Sequence, residues 1–526
     1  MDNILNKEKI FKILYNRHNG KFITLKDLPF PNSFKDMQRA IKRVKEAIAL
    51  NEKILLIGDY DVDGVCSTTI IRELFRQIDY KIDWIIPNRF KDGYGISKDI
   101  IQRYDANLII TVDNGIAAVE AANTCIERGI DLIITDHHTI PPQIPNAYAI
   151  INQKQSDCNF EYKEICGAQI AWYFAVALSR ELNIDIDTKE LMAIASLAIV
   201  ADIMPLTGIN RAMLIAGMGY LKRSNKPFVK ALREKNFIKD DFSSESIAYY
   251  IAPMLNSAGR LKDASLASDF LFTTSLDEAR EILDELIELN QDRKKIEKEL
   301  TKEALKQVMP SDNIAIVWGS DWNEGVVGIV ASKVAEHYKI PALVLSCKDG
   351  ICKGSGRSYG DCDLYELVSK ARDYYLKFGG HKSAIGISFK QEKLPLIKSI
   401  LNIEASKMCN KNFVDNSILG VLPFSEIDFE LLDILDKFEP YGESNPKPKF
   451  KTTAQILELQ EVGESKDHIR YKLKDFSNKI FSAIEFRSNK SCKIGNKVEL
   501  IYTLRRNEFN DKIYINLYIE DIKAIS

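Results

Sequence analysis

The chain has 526 residues, a length that indicates about three domains rather than one hydrophobic core. It is 45% hydrophobic and 28% charged, which is typical of a soluble globular protein, and no run approaches the ~18 apolar residues of a membrane span. The net charge of −2 excludes a uniformly basic nucleic-acid binder, and the first residues lack the apolar segment of a signal peptide. We therefore expect a cytoplasmic protein.

Nine cysteines are spread along the chain without a Cys-x-x-Cys pair or a short-range framework. This spacing predicts reduced thiols and argues against a zinc cluster. We assign these cysteines no functional role.

Short apolar, β-branched runs alternate with helical patterns from residue 53 onward. The runs are KILLIG (53–58), KIDWIIP (81–87), NLIITVD (107–113), DLIITD (131–136) and AYAIIN (147–152). Continuous apolar strands separated by crossovers of this length predict a parallel sheet covered by helices on both faces. In such a sheet the ligand site lies at the carboxyl ends of the strands.

Helical patterns and a second α/β pattern follow this sheet. Residues 165–221 read as helices, and a long amphipathic helix begins at Ser275, which forms a capping-box pattern with Glu278. Residues 313–390 contain the strands NIAIVW and IPALVLS and a Gly-rich segment, KGSGRS. We expect the long helix to join two α/β lobes.

The last ~80 residues differ from the rest in pattern and in charge. They follow the linker-like EPYGESNPKP and contain alternating strands, which predict a small barrel of about five strands. Residues 447–526 carry 16 Lys and Arg against 11 Asp and Glu, an excess of positive charge that suits a domain that binds phosphates. Aromatic residues that could stack on bases are interleaved with these cations: Phe476, Phe481, Phe486, Tyr502, Phe509, Tyr514 and Tyr518. Alternation also places half of such aromatics in the core of a barrel.

Acidic and histidine residues stand at successive strand ends of the first sheet. They are Asp59, Asp61, Asp63, Asp113, Asp136, His137 and His138, with Asp202 at the end of a helical segment. Carboxylates crowded at one edge repel by roughly several kcal/mol per pair, so they require protons or cations between them. Mixed Asp and His ligands suit Mn²⁺ or Mg²⁺, with two ions expected, and such a centre is typical of phosphoester hydrolysis.

Eight motifs in order resemble those of the DHH phosphoesterase superfamily, and within it the RecJ branch. The motifs are GDYDVDG, DGYG, TVDNG, TDHH, VADIMPL, APMLNSAGR, GSGRS and GGHKSAIG, and the likeness runs over most of residues 50–526. The resemblance implies an α/β fold in which a parallel-sheet DHH domain is joined by a long helix to a smaller α/β DHHA1 domain. A C-terminal oligonucleotide-binding (OB) barrel would follow.

The resemblance, together with the strand pattern, suggests domain boundaries. We expect an N-terminal extension (1–50), the DHH domain (51–210), a helical connector (211–310), the DHHA1 domain (311–400), a linker (401–446) and the OB domain (447–526). Some RecJ enzymes carry a further C-terminal domain, for which no room remains before Ser526. Activities assigned to that extra domain are therefore not expected here.

RecJ-type enzymes degrade single-stranded DNA from the 5′ end and release mononucleotides in recombination and repair. By resemblance, the metal ligands are Asp59, Asp61, Asp63, Asp113, His137 and Asp202. His138 is assigned to the substrate phosphate, and Asp136 either binds metal or supports the ligands. The expected catalytic set is Asp61, Asp63, Asp113, Asp136, His137, His138 and Asp202. The motifs do not divide the ligands between two ions.

The same resemblance assigns residues that hold the DNA strand. They are Arg89, Tyr94, Asn256, Arg260, Ser355, Arg357 and His381. Arginine suits this role because its planar fork matches phosphate oxygens. The partners implied are single-stranded DNA, a single-strand-binding protein and a helicase, and we expect a monomer.

Three other functions share parts of this pattern. Phosphodiesterases for short oligonucleotides or cyclic dinucleotides share the metal cleft but lack the OB extension. Manganese pyrophosphatases carry a histidine ahead of the first paired aspartates, where this chain has LLIGDY. An inert DNA-binding scaffold would have lost metal ligands, and every ligand position is filled here.

Overall fold

Three β-sheets organise the chain, and each has helices packed against it. A computed structural model describes residues 4–239, 241–409, 417–463, 466–488, 492–509 and 512–525. Within these ranges, no helix combines the length and apolar character needed to cross a membrane.

The first lobe is a five-stranded parallel sheet in the order β2-β1-β3-β4-β5. In chain order, its elements and the two helices that precede them are α1 (Lys7–Arg17), α2 (Met37–Ala49), β1 (Ile54–Ile57), α3 (Val62–Gln77), β2 (Asp83–Ile85), α4 (Lys98–Arg103), β3 (Leu108–Val112), α5 (Val119–Glu127), β4 (Asp131–Thr135) and β5 (Ala149–Ile151). Successive residues of β1 face two separate apolar cores, since Leu56 packs on one side and Ile57 on the other. Both faces are therefore covered, which confirms the predicted parallel sheet.

The N-terminal segment is shared between two cores. Ile10 and Leu14 of α1 pack into the core of the C-terminal barrel, whereas Met37 and Val44 of α2 pack against the first lobe. The beginning of the chain therefore bridges the first lobe and the barrel.

Helices connect the two lobes. They are α6 (Gly167–Leu182), α7 (Thr188–Ala201), α8 (Gly208–Leu221), α9 (Pro227–Glu234), α10 (Ser244–Ser246), a π-helical turn (Ile247–Ile251), α11 (Ala252–Leu261), α12 (Ser265–Phe272) and α13 (Leu276–Leu305). The side chain of Ser275 caps α13 by accepting a hydrogen bond from the backbone N–H of Glu278 at 3.3 Å. Leu283 of α13 packs in the first lobe and Leu300 in the second, which confirms the predicted strut.

The second lobe is a mixed sheet in the order β6-β7-β8-β10-β9, in which the β6–β7 pair is parallel and the other pairs are antiparallel. Its elements are β6 (Ala315–Ser320), α14 (Val327–Tyr338), β7 (Ala342–Lys348), β8 (Ile351–Arg357), α15 (Leu364–Ser369), β9 (Tyr375–His381), β10 (Ala384–Lys390) and α16 (Leu394–Met408). This lobe has its own apolar cores on the two faces of the sheet.

Two cysteine pairs of the second lobe form disulfides, which contradicts the prediction of reduced thiols. Cys347 bonds to Cys352, and Cys362 bonds to Cys409. Cys347 and Cys352 stand opposite each other in the β7–β8 register, a proximity that residue spacing alone does not reveal. The other five cysteines are buried thiols.

A closed five-stranded barrel ends the chain. The elements are β11 (Ile418–Val421), α17 (Phe429–Lys437), β12 (Lys449–Val462), β13 (His468–Asp475), β14 (Ile480–Glu485), β15 (Lys497–Phe509) and β16 (Lys512–Ile525). The barrel closes because β12 pairs with both β13 and β15, and β11 adds to β12 in parallel. The predicted small barrel is confirmed.

Candidate metal centre and substrate cleft

Five carboxylates and one imidazole converge where β1, β3 and β4 end. They form two groups of three, and in each group the ligand atoms all lie within 4.8 Å of one another: Asp59, Asp61 and Asp113, and Asp63, His137 and Asp202. The Nε2 atom of His137 lies 3.1 Å from Oδ1 of Asp113, so the two groups adjoin. His138 lies where the two groups adjoin, because the ligand atoms of Asp113, His137 and His138 also lie within 4.8 Å of one another. The sequence-predicted metal ligands are therefore brought together in two sets of three.

Two helix N-termini hold the paired aspartates in place. Asp61 caps α3, because its Oδ1 accepts a hydrogen bond from the backbone N–H of Gly64 at 3.1 Å. Asp63 accepts hydrogen bonds from the backbone N–H groups of Gly167 (2.6 Å) and Ala168 (2.7 Å) at the start of α6. The positive ends of two helices thus orient negative side chains toward one point.

Asp113 is held by an unusual backbone and a close neighbour. Its φ angle is 61°, a left-handed conformation that is uncommon outside glycine. A Cβ atom on Gly167 would lie 2.8 Å from the Asp113 side chain, so only glycine lets α6 approach this closely. The conformation of Asp113 and the glycine at the start of α6 together fix the carboxylate in the centre.

Burial and mutual repulsion raise the pKa values of these carboxyl groups. Burial first, and then neighbouring carboxylates, raise the pKa of Asp59, Asp113 and Asp202 well above the ordinary value. Burial and Asp61 likewise raise the pKa of Asp63 to about 6. Without counter-charges the cluster resists ionisation, as expected of a site built for cations.

His137 and His138 have different surroundings. His137 is buried, and burial followed by the neighbouring His138 lowers its pKa to about 3, so it presents a neutral nitrogen toward the carboxylates. For His138, burial opposes the positive charge, but its hydrogen bond to Asp136 and the negative charges of Asp136, Asp61 and Asp202 together outweigh burial and raise the pKa to about 9. One histidine thus suits metal binding, and the other stays cationic.

Both carboxylate oxygens of Asp136 are hydrogen-bonded to neighbouring groups. Its Oδ2 accepts from the backbone N–H of Ile116 at 2.9 Å, and its Oδ1 lies 2.7 Å from Nδ1 of His138. Burial alone would raise the pKa of Asp136, but the hydrogen bonds and positive charge of His138 hold it below the ordinary value. This geometry favours a supporting role for Asp136 over metal binding, and the residue that it supports is His138, which the sequence assigned to the substrate.

The chemistry of the donor set fits divalent cations. Among the described residues, Oδ1 of Asp59, Oδ1 of Asp113 and Oδ2 of Asp202 are buried and accept no hydrogen bond. A buried carboxylate oxygen without a partner is costly, and metal coordination relieves that cost. Carboxylate oxygens with one neutral imidazole suit Mn²⁺ or Mg²⁺.

Three arginines gather beside the metal centre. Burial, followed by repulsion from Arg89, lowers the pKa of Arg260 to about 10, and Arg357 adds to this repulsion. In the described part of the chain, these three arginines form no ion pair with a carboxylate. Arg260 donates to the backbone carbonyl of Gly325 at 2.8 Å, and Arg89 lies 4.0 Å over the ring of Tyr60. Guanidinium groups held together in this way favour a nearby anion.

The remaining predicted substrate residues line the same cleft. Asn256 accepts a hydrogen bond from the backbone N–H of Val62, between the paired aspartates, at 3.2 Å. Tyr94 is half exposed and its hydroxyl lies 3.5 Å from the backbone carbonyl of Asp113. His381 is the last residue of β9 in the second lobe. Burial and the positive charges of Arg357 and His138 lower its pKa, so His381 lies near residues of both lobes.

The GSGRS segment lies in a β-strand, although glycines at this spacing can also form a loop whose backbone approaches phosphate. Gly354, Ser355, Gly356 and Arg357 lie within β8, which pairs with β7 and β10. A Cβ on Gly354 would lie 2.3 Å from the backbone carbonyl of Val344, so this glycine serves sheet packing. The Ser355 and Arg357 side chains instead face the N-terminus of α14.

Residues that the sequence did not single out also contribute. Lys154 follows β5 and acts electrostatically on His137, Asp202 and His381. It stands at the end of a parallel strand, so the strand-end rule could have found it. The N–H groups of α6 that bind Asp63 could not be predicted from residue types, because they belong to the backbone.

The aromatic residues of the barrel separate into core and surface. Tyr502 is buried and its hydroxyl donates to the backbone carbonyl of Leu422 at 3.2 Å, whereas Phe476, Phe486 and Tyr514 are exposed. Phe481 and Tyr518 are partly exposed. The side chain of Phe509 lies outside the described part of the chain.

The two-lobed fold and its carboxylate-histidine centre define a metal-dependent phosphoesterase of the DHH class. Models of three families match the chain: the DHH family N-terminal domain over residues 53–199, the DHHA1 domain over 311–407 and the RecJ OB domain over 419–521. The three matches correspond to the first lobe, the second lobe and the barrel.

Curated relatives identify the family. The single-stranded-DNA-specific exonuclease RecJ of Escherichia coli is 31% identical over 523 residues, covering 93% of this chain and 90% of the relative. The enzyme of the same name from Bacillus subtilis is 34% identical over 517 residues, covering 95% of this chain. The chain spans 65% of the length of that second relative. This chain belongs to the RecJ family of single-stranded-DNA-specific exonucleases.

Solved structures share the fold. RecJ from Thermus thermophilus in complex with Mn²⁺ is 24% identical, with a TM-score of 0.85, and the match covers 100% of this chain and 79% of that chain. An exonuclease RecJ bound to manganese is 28% identical, with a TM-score of 0.63, and the match covers 72% of this chain and 96% of that chain.

Proposed function

We propose that this chain is a divalent-metal-dependent exonuclease that degrades single-stranded DNA from the 5′ end and releases mononucleotides in recombination and repair. The two adjoining sets of three ligands carry the proposal, because they form a centre for hydrolysis of a phosphodiester. The arginine cluster next to that centre supports a terminal phosphate as the anchor of the strand.

We assign the ligands to two ions. Asp59, Asp61 and Asp113 would hold one, and Asp63, His137 and Asp202 would hold the other. When bound, such ions supply a water of lowered pKa and neutralise the phosphate under attack. The imidazole among the ligands favours Mn²⁺ over Mg²⁺, and the solved exonuclease RecJ bound to manganese supports this choice.

The protein's own residues bind and orient the strand. Arg89, Arg260 and Arg357 hold the 5′-terminal phosphate, and His381 and Tyr94 contact the terminal nucleotide. His138, kept cationic by Asp136, donates a hydrogen bond to the phosphate that is cleaved. Asn256 links this binding to catalysis, because it accepts a hydrogen bond from the backbone between Asp61 and Asp63.

The short-oligonucleotide alternative is less consistent with the barrel. Its enzymes share the metal cleft, but this chain matches the RecJ OB domain over residues 419–521. The inert-scaffold alternative requires lost ligands, whereas all six ligand positions are filled and adjacent.

The decisive experiment is digestion of 5′-labelled and 3′-labelled single-stranded oligonucleotides in Mn²⁺, in Mg²⁺ and in chelator, with blunt duplexes as controls. We expect metal-dependent release of labelled mononucleotide from the 5′ label while the duplex is spared. If long strands survive and dinucleotides are cleaved, the short-oligonucleotide alternative replaces this proposal.

Further features of the function stay predictions. These are cytoplasmic residence, a monomeric state, a single-strand-binding protein and a helicase as partners, and the domain boundaries derived from the sequence.

A further inference from the structure

One disulfide of the second lobe joins two segments that are distant in the chain. Cys362 lies between β8 and α15, and Cys409 directly follows α16, at a sequence separation of 47 residues. Where thiols are kept reduced, a disulfide is usually transient, catalytic or redox-sensing rather than structural. Because we expect this chain to be cytoplasmic, a purely structural bond is not expected here.

The two disulfides of this lobe differ in their access to solvent. Cys347 and Cys352 are 3% and 0% exposed and lie opposite each other on β7 and β8. Cys362 is also buried, whereas Cys409 is partly exposed at the end of α16. Oxidation and thiol exchange both require that a reagent reach a sulfur atom. Of these two disulfides, the one between Cys362 and Cys409 is therefore the one that a reagent can approach.

The segment that contains Cys362 is hydrogen-bonded to the turn between β9 and β10. The backbone N–H of Ser358 donates to the carbonyl of Ser383 at 2.9 Å. The backbone N–H of Leu364 donates to the carbonyl of Lys382, also at 2.9 Å. Within the segment, the Ser358 hydroxyl donates to the backbone carbonyl of Cys362. The segment and the turn therefore form one hydrogen-bonded unit that includes Cys362.

This unit adjoins two residues of the proposed substrate site. Ser358 directly follows Arg357 in the chain. The backbone N–H of Ser383 donates to Nδ1 of His381 at 3.3 Å. A covalent bond at Cys362 therefore restrains the backbone from which Arg357 and His381 extend.

We propose that Cys362 and Cys409 form a reversible oxidation site that controls how tightly the protein holds the 5′ terminus of its substrate. This inference rests on the proposed function. In the disulfide form, α16 anchors the segment after β8 and keeps Arg357 and His381 in place. Reduction removes this anchor, so more conformational freedom is lost when the terminus binds, and binding weakens.

A peroxide is a suitable oxidant for this site. The thiolate of the more exposed Cys409 attacks one peroxide oxygen, the O–O bond breaks, and a sulfenic acid and hydroxide form. The Cys362 sulfur then attacks the Cys409 sulfur and displaces a second hydroxide. In total the two thiols lose two electrons and two protons, and hydrogen peroxide becomes two water molecules. Two equivalents of a small thiol reverse the reaction through a mixed disulfide and are themselves oxidised to a disulfide.

Peptide mapping by mass spectrometry tests the site itself. We expect a Cys362–Cys409 disulfide after treatment of the folded protein with hydrogen peroxide, and two thiols after treatment with tris(2-carboxyethyl)phosphine. The buried pair Cys347 and Cys352 should respond more slowly. A Cys362–Cys409 bond that peroxide does not form, or that the reductant does not break, would refute the inference.

Kinetic measurements test the consequence, with the peroxide removed before metal is added. On reduction, we expect KM for a 5′-phosphorylated 20-nucleotide strand to rise roughly threefold to tenfold, with kcat unchanged within about twofold. The double variant C362S/C409S should keep the higher KM in both redox states. C347S/C352S, which removes the other disulfide, is the matched control and should respond to reduction as the unaltered protein does.

The outcomes separate this inference from the proposed function. Equal KM values for the oxidised and the reduced unaltered protein would show that the bond is only structural and would refute the inference. That comparison requires no variant, so it decides the question even if C362S/C409S fails to fold. Absence of hydrolysis in both redox states would instead contradict the proposed function, and peptide mapping would still decide whether the two cysteines are redox-active.

Discussion

Asp113 illustrates how single residues are fitted to bound cations. Its buried Oδ1 accepts no hydrogen bond among the described residues, and it lies 3.1 Å from Nε2 of His137, a neutral ring. Burying an oxygen without a hydrogen bond is costly, and the protein tolerates this cost because Asp113 belongs to the first set of ligands and adjoins the second. Removing its charge therefore affects both proposed ions.

We expect Asp113→Asn to lower the rate of DNA hydrolysis roughly a thousandfold or more while the fold is kept. Single-turnover digestion and circular dichroism measure the two effects. Asp105→Asn, which alters an exposed carboxylate paired with Lys53, is the control and should retain full activity. Substantial hydrolysis by D113N would overturn the assignment of the metal centre.

The raised pKa of Asp63 predicts how stability depends on pH without metal. Its pKa rises from 3.8 in the unfolded chain to about 6 in the folded protein, so the folded state binds more protons between these values. The metal-free protein therefore loses stability as pH rises through this window, by roughly 3 kcal/mol for Asp63 alone. Mn²⁺ should remove this loss.

Urea unfolding in chelator and in Mn²⁺, at pH values from about 3.5 to 7, checks this prediction. Asp63→Asn should reduce the pH dependence in chelator, since an amide does not ionise, while Asp59, Asp113 and Asp202 keep their own contributions. Stability that rises with pH in chelator, with no effect of Mn²⁺, would contradict it.

At the scale of elements, the start of α6 is part of the active site. Its first two N–H groups bind Asp63, and Gly167 leaves the space that Asp113 occupies. The position of this helix thus determines the spacing between the two sets of ligands.

Gly167→Ala should therefore displace Asp113 and lower kcat roughly a hundredfold, with a smaller effect on stability. Gly219→Ala is a suitable control, because its Cβ would contact only the flexible Arg223 side chain at 3.7 Å. That variant should keep its activity and gain up to about 1 kcal/mol of stability. Equal activity of the two variants would disprove the role of Gly167.

Strand ends carried most of what could be predicted about the site. Asp59, Asp113 and Asp136 follow apolar runs, so their convergence follows from the parallel sheet alone. The pairing of Cys347 with Cys352, the strand conformation of Gly354 and the buried position of Tyr502 depend on strand register instead. Register results from contacts between distant segments, so a single sequence does not display it.

In the whole molecule, Arg211 of α8 fixes the barrel to the first lobe. Its guanidinium donates to the backbone carbonyls of Lys437 at 2.9 Å and Glu439 at 2.7 Å, and it lies 4.7 Å over the ring of Phe22. Nearby, the backbone N–H of Leu206, in the loop that follows Asp202, donates to the backbone carbonyl of Glu443 at 2.8 Å. The placement of the barrel is thus tied to the loop that carries a metal ligand.

Arg211→Ala should loosen this attachment. We expect faster proteolysis within residues 439–446 and a several-fold higher KM for a 20-nucleotide strand, because two carbonyls lose their charged donor. Hydrolysis of a dinucleotide should change little. Arg180→Ala, at an exposed position of α6, is the control, and identical proteolysis of the two variants would argue against the attachment.

The packing of α1 into the barrel also constrains how the protein is made. Leu14 leaves the ribosome more than 400 residues before its partners Tyr502 and Leu517. At about 5–20 residues per second, the apolar side chains of α1 remain without these partners for roughly 25 to 100 seconds during synthesis. The core of the barrel therefore forms only after β15 and β16 have been synthesised, and α1 lacks its native partners until then.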